Sequence, residues 1–232
     1  MNVAALTWFY VKAYGNSYRF VQPLVVTLVL LAILSGAPPN TPDAAQASVL
    51  ETLGYLSIFM IPVWAWASRQ LLDTEPDTHR LVSATMMSSR ARLLAGRLLA
   101  CYAVSILFSV IVLLLPLLAT VQAGVDVRAL LGGTLLLMVG PCVAGVFGIL
   151  TSRALVPSAA RSTLFFLVGI LLVGLFDASG LSWLGPPIMS GARAANEGLG
   201  ALLAALPAIT LRALTWTVLG IIAYAFLRRR RE

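Results

Sequence analysis

The sequence predicts an all-α, polytopic membrane protein with six transmembrane helices. Three observations carry that prediction. Of the 232 residues, 59% are hydrophobic and only 11% charged, whereas a soluble domain is nearer half apolar and a quarter charged. Apolar runs of helix length recur along the chain, and its length suits about six spans of about 20 residues each. The basic residues gather at the ends of those runs, which turns the formal charge of +7 away from nucleic acid and toward membrane topology. No stretch is long and polar enough for a separate soluble domain, so residues 1–232 read as one transmembrane domain.

Residues 1–19 read as a helix lying in the inner headgroup layer. Tyr10, Tyr14 and Tyr18 recur every four residues and share a face in a helix, beside Trp8, Lys12 and Arg19. Gly15 and Asn16 weaken it as one continuous helix. No charged segment leads directly into an apolar core and a small-residue cleavage site, so no cleaved signal peptide is expected. Residues 20–67 hold the first two spans, about Phe20–Ser35 and Ser48–Ala67, joined by the proline-rich GAPPNTPDAAQ. Pro62 is expected to kink the second span, and Trp64 and Trp66 suit an interfacial belt.

Residues 68–92 form the centre of the longest polar interval, which runs from Trp64 to Arg97. It carries Arg69, Arg80, Arg90, Arg92 and Arg97 together with Asp73, Glu75 and Asp77. Thr74-Glu75-Pro76-Asp77 has the form of a helix start, with a capping Thr74, Pro76 in the first turn, and acids at the positive dipole end. Asp77 and Arg80 make an (i, i+3) pair, and Leu81, Val82, Met86 and Met87 give an apolar side. Ser88 or Ser89 can then cap a second helix that runs into the third span.

Residues 93–176 hold spans three to five, about Leu94–Thr120, Ala129–Leu150 and Thr163–Phe176. Gly140, Ala144 and Gly148 make a small-residue face for close packing, and Pro141 is expected to bend the fourth span. A polar loop with Arg153 and Arg161 separates spans four and five. Residues 177–206 contain Pro186, Pro187 and pieces too short to span, and read as short re-entrant helices at the outer surface. Residues 207–232 hold the last span, about Ala208–Leu227, and the tail Arg228–Arg231.

Six spans put both termini on one side, with 13 of the 16 basic residues: Lys12, Arg19, Arg69, Arg80, Arg90, Arg92, Arg97, Arg153, Arg161 and Arg228–Arg231. Only Arg128, Arg193 and Arg212 fall on the other, which carries Asp43, Glu51, Asp126, Asp177 and Glu197. The positive-inside rule makes the first side cytoplasmic. Richness in Ala, Arg, Leu and Gly with a single lysine hints at a GC-rich bacterial genome, and hence a bacterial inner membrane.

Several chemistries are excluded by what is absent. Lys12 is the only lysine and lies in no Gly-Lys-Ser/Thr, so the chain has no Walker A motif. His79 is the only histidine, which excludes a His-based zinc pair and argues against a Ser-His-Asp triad. Cys101 and Cys142 sit in apolar runs without metal spacing and read as buried free thiols. No catalytic residue, metal site or bound cofactor is therefore expected in this chain. No Asp, Glu or Lys falls at mid-span, which argues against a proton-driven carrier. Glu51 and Arg212 are the nearest exceptions, read as outer-end residues that snorkel to the interface or serve an outer gate. The arginine tail reads as a topology stop, with anionic lipid binding as the alternative.

The order of parts resembles the ABC-2 type transporter permeases. LLDTEPDTHRLVSATMMSSRARLLAGRLLA is similar to that family's acid-rich start, coupling helix, Ser-Arg turn and basic start of span three. Met86-Met87-Ser88-Ser89-Arg90 stands where the family often has a proline. The resemblance implies the permease subunit of an ATP-driven exporter of an amphipathic or lipidic compound, a drug-like metabolite or a peptide. A second permease, identical or different, would complete the pathway within the lipid. ATP would sit on a separate ATP-binding subunit, contacted by Glu75, Asp77, Thr78, His79, Arg80, Leu81 and Ala84. Residues 1–19 would be the elbow helix. A non-transporting regulatory or assembly protein and a secondary carrier are the alternatives. A membrane enzyme would need reactive side chains converging at membrane depth, and none is seen.

Overall fold

A computed structural model describes residues 2–34, 41–74, 89–178 and 185–229. Residues 75–84, expected to form the coupling helix, lie outside the described residues, as does the Met86–Ser89 turn up to Ser88. Helix dominates the described residues, and no strand occurs among them. Among the described residues eight α-helices follow one another: α1 (Val3–Gly15), α2 (Val21–Leu34), α3 (Pro42–Leu72), α4 (Arg90–Ala123), α5 (Val127–Leu150), α6 (Ala159–Ala178), α7 (Ile188–Asn196) and α8 (Leu199–Arg229). A short 3-10 turn, Tyr18–Phe20, joins α1 to α2.

The boundaries follow local chemistry. The Asn2 side chain accepts the Ala5 N–H at 2.8 Å and starts α1, and Asp126 accepts the Arg128 N–H at 2.9 Å and starts α5. Gly124 takes φ +65° just past the end of α4, a left-handed conformation in which a Cβ would be strained. Pro62, Pro116, Pro141 and Pro207 all lie inside continuous helices.

Among the described residues five helices, α3, α4, α5, α6 and α8, are long and apolar enough to cross a membrane. The sixth candidate is α1 and α2 taken together, bent by 77° between them. With 14 residues, α2 alone is about 21 Å long, short of a hydrocarbon core of about 30 Å. The last span differs from its expected bounds. Residues 199–206, assigned to the short outer helices, are the first turns of the 31-residue α8. Pro207, which has no N–H, leaves only the Leu203 carbonyl without its helical donor, and the apolar flanks on both sides carry the helix through it.

The bundle is organised on α3. Of its most apolar stretch 56% is buried inside the protein, against 17% for α6. One end of α3 packs Ala45, Val49, Leu50 and Leu53 with residues of α5, α7 and α8. The other end packs Leu56, Met60, Trp64 and Leu71 with α1, α4 and α5. The small face expected on α5 is what brings it onto α3. A Cβ on Gly140 would collide with the Trp64 ring, and one on Gly148 would meet the Ala65 carbonyl oxygen at 2.6 Å. Trp64 is thus wholly buried in the core rather than set in an interfacial belt as expected. Its indole fills the space the glycine leaves. The exposed apolar side chains of α6, among them Leu164, Phe165, Leu171 and Leu175, face outward, as lipid-facing residues do.

Candidate functional site

The polar interval joins the end of α3 to the start of α4 in sequence. Around those two points the structure gathers two clusters of polar side chains. On the α4 side, α1 lies against the first two turns. Leu6 packs on Gly96, and the Thr7 hydroxyl donates to the Gly96 carbonyl at 3.3 Å as well as to Val3 in its own helix at 2.9 Å. Next to them Arg97 is buried, 6% exposed, and its Nε donates to the Tyr10 hydroxyl at 3.1 Å. Its guanidinium also stands 5.6 Å from the Tyr10 ring centre, a cation–π distance.

On the α3 side, Tyr14 is completely buried, and its hydroxyl lies 3.3 Å from the Gln70 side-chain amide. Burial, aided by the nearby Cys101, pushes the Tyr14 phenol well above its ordinary range, against the pull of Arg19. It therefore stays a neutral hydrogen-bonding group. Phe20 stacks on Phe108 of α4 at 5.3 Å and meets Tyr14 edge-on. Turned so that its nitrogen donates to the Arg19 carbonyl at 2.8 Å, the Gln70 amide accepts the Trp66 indole N–H at 2.9 Å. α1 is thus pinned at once to the end of α3 and the start of α4.

A second cluster sits beside it, organised on Asp73, the C-cap of α3. The Asp73 carboxylate accepts the Arg153 backbone N–H at 3.0 Å and stands 3.9 Å from Arg69 Nε. Its carbonyl accepts from Arg19 at 2.7 Å. Arg69 also donates to the Thr163 hydroxyl at 2.9 Å and lies over the Phe166 ring. One aspartate thereby ties together the start of α2, the end of α3, the α5–α6 turn and the start of α6. Arg19, Arg69 and Asp73 border, with Trp66, Gln70, Arg153, Thr163, Phe166 and Leu167, a cavity of about 470 Å³.

The expected site residues fare differently. Glu75, Asp77, Thr78, His79, Arg80, Leu81 and Ala84 lie outside the described residues. Thr74, expected to cap that segment, donates its hydroxyl back to the Gln70 carbonyl at 2.8 Å. Of the aromatic residues assigned to the elbow, Tyr10 and Tyr14 are buried in the core, whereas Trp8 is 67% and Tyr18 94% exposed. The four-residue spacing does not hold as one face because α1 ends at Gly15 and Tyr18 sits in the separate 3-10 turn. Glu51 is exposed on α3, and no ion pair joins it to Arg212 among the described residues. Arg212 is the fourteenth of the 31 residues of α8, nearer mid-helix than the outer end, and donates to the Gly185 carbonyl at 2.6 Å.

Arg97, Gln70 and Asp73 escaped notice as site residues. Arg97 read as one more basic residue at a span start. Only the (i, i+4) spacing of Arg69 and Asp73 signalled that the end of α3 was organised. Cys101 and Cys142 are free thiols as expected; Cys101 is fully buried with its Sγ 3.6 Å from the Ser68 carbonyl, whereas Cys142 is only half-buried and not buried as expected. Comparison with protein-family models, with curated proteins and with solved structures finds no match to this chain.

Proposed function

We propose that this chain is the permease subunit of an ATP-driven ABC-2-type transporter, an exporter of an amphipathic or lipidic compound, a drug-like metabolite or a peptide. The observation that favours this reading most is the double pinning of α1. Tyr14 holds it to α3 at Gln70, and Tyr10 and Thr7 hold it to α4 at Arg97 and Gly96. The polar interval between α3 and α4 therefore hangs from two long helices that are joined by a third. A force applied to that interval by a docked subunit would move both helices together, which is what coupling of ATP hydrolysis to a membrane pathway requires. The sequence given holds no P-loop lysine, and the proposed ATPase is a separate subunit. The Glu75–Ala84 segment is its proposed contact, and a second permease completes the pathway.

Affinity purification from native membranes tests this. The tagged chain brings down a subunit carrying a Walker A motif, and Arg80→Glu or Leu81→Asp abolishes that association while the chain still inserts. Recovery of no ATPase, together with no effect of either substitution, would refute the reading.

A further inference from the structure

We propose that the cavity between the end of α3 and the start of α6 binds the headgroup of an anionic phospholipid. This rests on the reading of the chain as a membrane protein and not on the transporter assignment. Among the described residues, the cavity is bordered by three guanidinium groups, Arg19, Arg69 and Arg153, against the single carboxylate of Asp73. The described lining thus carries an excess of two positive charges.

The three arginines are held in different ways. Arg69 is fixed: its side chain is 13% exposed and anchored to Thr163 and Asp73. Arg19 is anchored by its donation to the Asp73 carbonyl. Arg153 is tied only through its backbone N–H, and its guanidinium forms no hydrogen bond with a described residue. A phosphate reaching between Arg69 and Arg153 would accept hydrogen bonds from both and relieve their mutual repulsion.

The walls choose the class of anion. Trp66, Phe166 and Leu167 also line the same cavity. Phe166 is buried, but Leu167 is exposed on a helix whose outer face is apolar. A ligand seated on the arginines therefore has an apolar surface leading away along α6, which suits an acyl chain and not a free inorganic ion. The position agrees as well, because Arg19, Arg69 and Arg153 all belong to the basic side of the chain. Basic pockets between membrane helices on that side are where acidic headgroups are held.

Native mass spectrometry of the detergent-solubilised chain tests the assignment, after equilibration with equal amounts of phosphatidylglycerol and phosphatidylcholine. Phosphatidylglycerol is expected to be retained preferentially, one per chain, and millimolar inorganic phosphate is expected not to displace it. Arg153→Gln is expected to weaken its retention about five-fold, since it removes the charge but keeps the backbone N–H that Asp73 holds. Arg128→Gln, at an exposed arginine in the first turn of α5, is expected to leave retention unchanged. Equal retention of the two lipids overturns the proposal, as does an Arg153→Gln chain that behaves like Arg128→Gln. Displacement by inorganic phosphate overturns the lipid assignment in favour of a free-anion site. The comparison of lipids on the unaltered chain needs no variant and decides the matter even if a substitution disturbs folding.

Discussion

Single residues set the closest approaches in this bundle. Gly148 lets α5 come so near α3 that an added Cβ would press on backbone, the Ala65 carbonyl, which cannot rotate away. Gly145, three residues earlier in the same helix, has nothing within 4 Å of its position for a Cβ. Gly148→Ala is therefore expected to destabilise the chain by about 1–3 kcal/mol through overpacking. Gly145→Ala is expected to be neutral or stabilising by up to about 1 kcal/mol, through helix propensity. Thermal unfolding of the two variants in the same detergent reads the contrast, and an equal loss from both would show that helix flexibility, not contact, matters there. At Tyr10, replacement by Phe keeps the ring under Arg97 and removes only the hydroxyl acceptor. A cost of about 1.5–3 kcal/mol is expected, the range for hydrogen bonds to charged groups. Urea titration of secondary structure measures it, and an unchanged midpoint would mean that the cation–π contact alone suffices.

Among the elements, α3 is the shaft and the others are arranged around it. Its two ends serve different packing clusters, and its last turn serves the polar ones through Gln70 and Asp73. Removing the Asp73 carboxylate is expected to loosen the α5–α6 turn in particular. Asp73→Ala leaves the Arg153 N–H without that acceptor and frees Arg69 to swing, at a local cost of about 1–3 kcal/mol. Hydrogen exchange should rise by ten-fold or more around Ser152–Leu155 while the middle of α5 stays protected. Uniform exchange along α5 would refute so local a role. Much of this element scale was legible in the chain. The apolar runs and the small face of α5 follow directly from hydrophobic spacing, because lipid-facing and core-facing positions both demand apolar residues over a full helix. The helix ends were less so: α8 begins at Leu199, before Pro207, because a proline inside an apolar helix costs one hydrogen bond and does not end the helix when neighbours pack on both sides.

At the scale of the whole molecule the open quantity is how many times the chain crosses the membrane. Five helices qualify alone, and the sixth crossing rests on α2 with the 77° bend that separates it from α1. An even number puts Ser17 and the C-terminal tail on the same side. In a chain with both cysteines replaced, Ser17→Cys and Glu232→Cys are expected to react with an impermeant maleimide only when the face opposite to Arg128 is exposed. Labelling of the two from opposite sides would establish five crossings.

Composition and spacing by themselves determined that this is a helical membrane protein, where its apolar helices fall and which side of them is basic. Those properties depend on the solvent each residue meets, and that preference is written residue by residue. Only the tertiary structure decided that Trp64 is core, that Tyr10 and Tyr18 part company, and that Arg19, Arg69 and Arg153 converge on Asp73 from points up to 134 residues apart. Arginines at span ends look alike in sequence, since each is equally comfortable in water. Which of them share a cavity depends on how helices from distant parts of the chain pack, and no local preference encodes that.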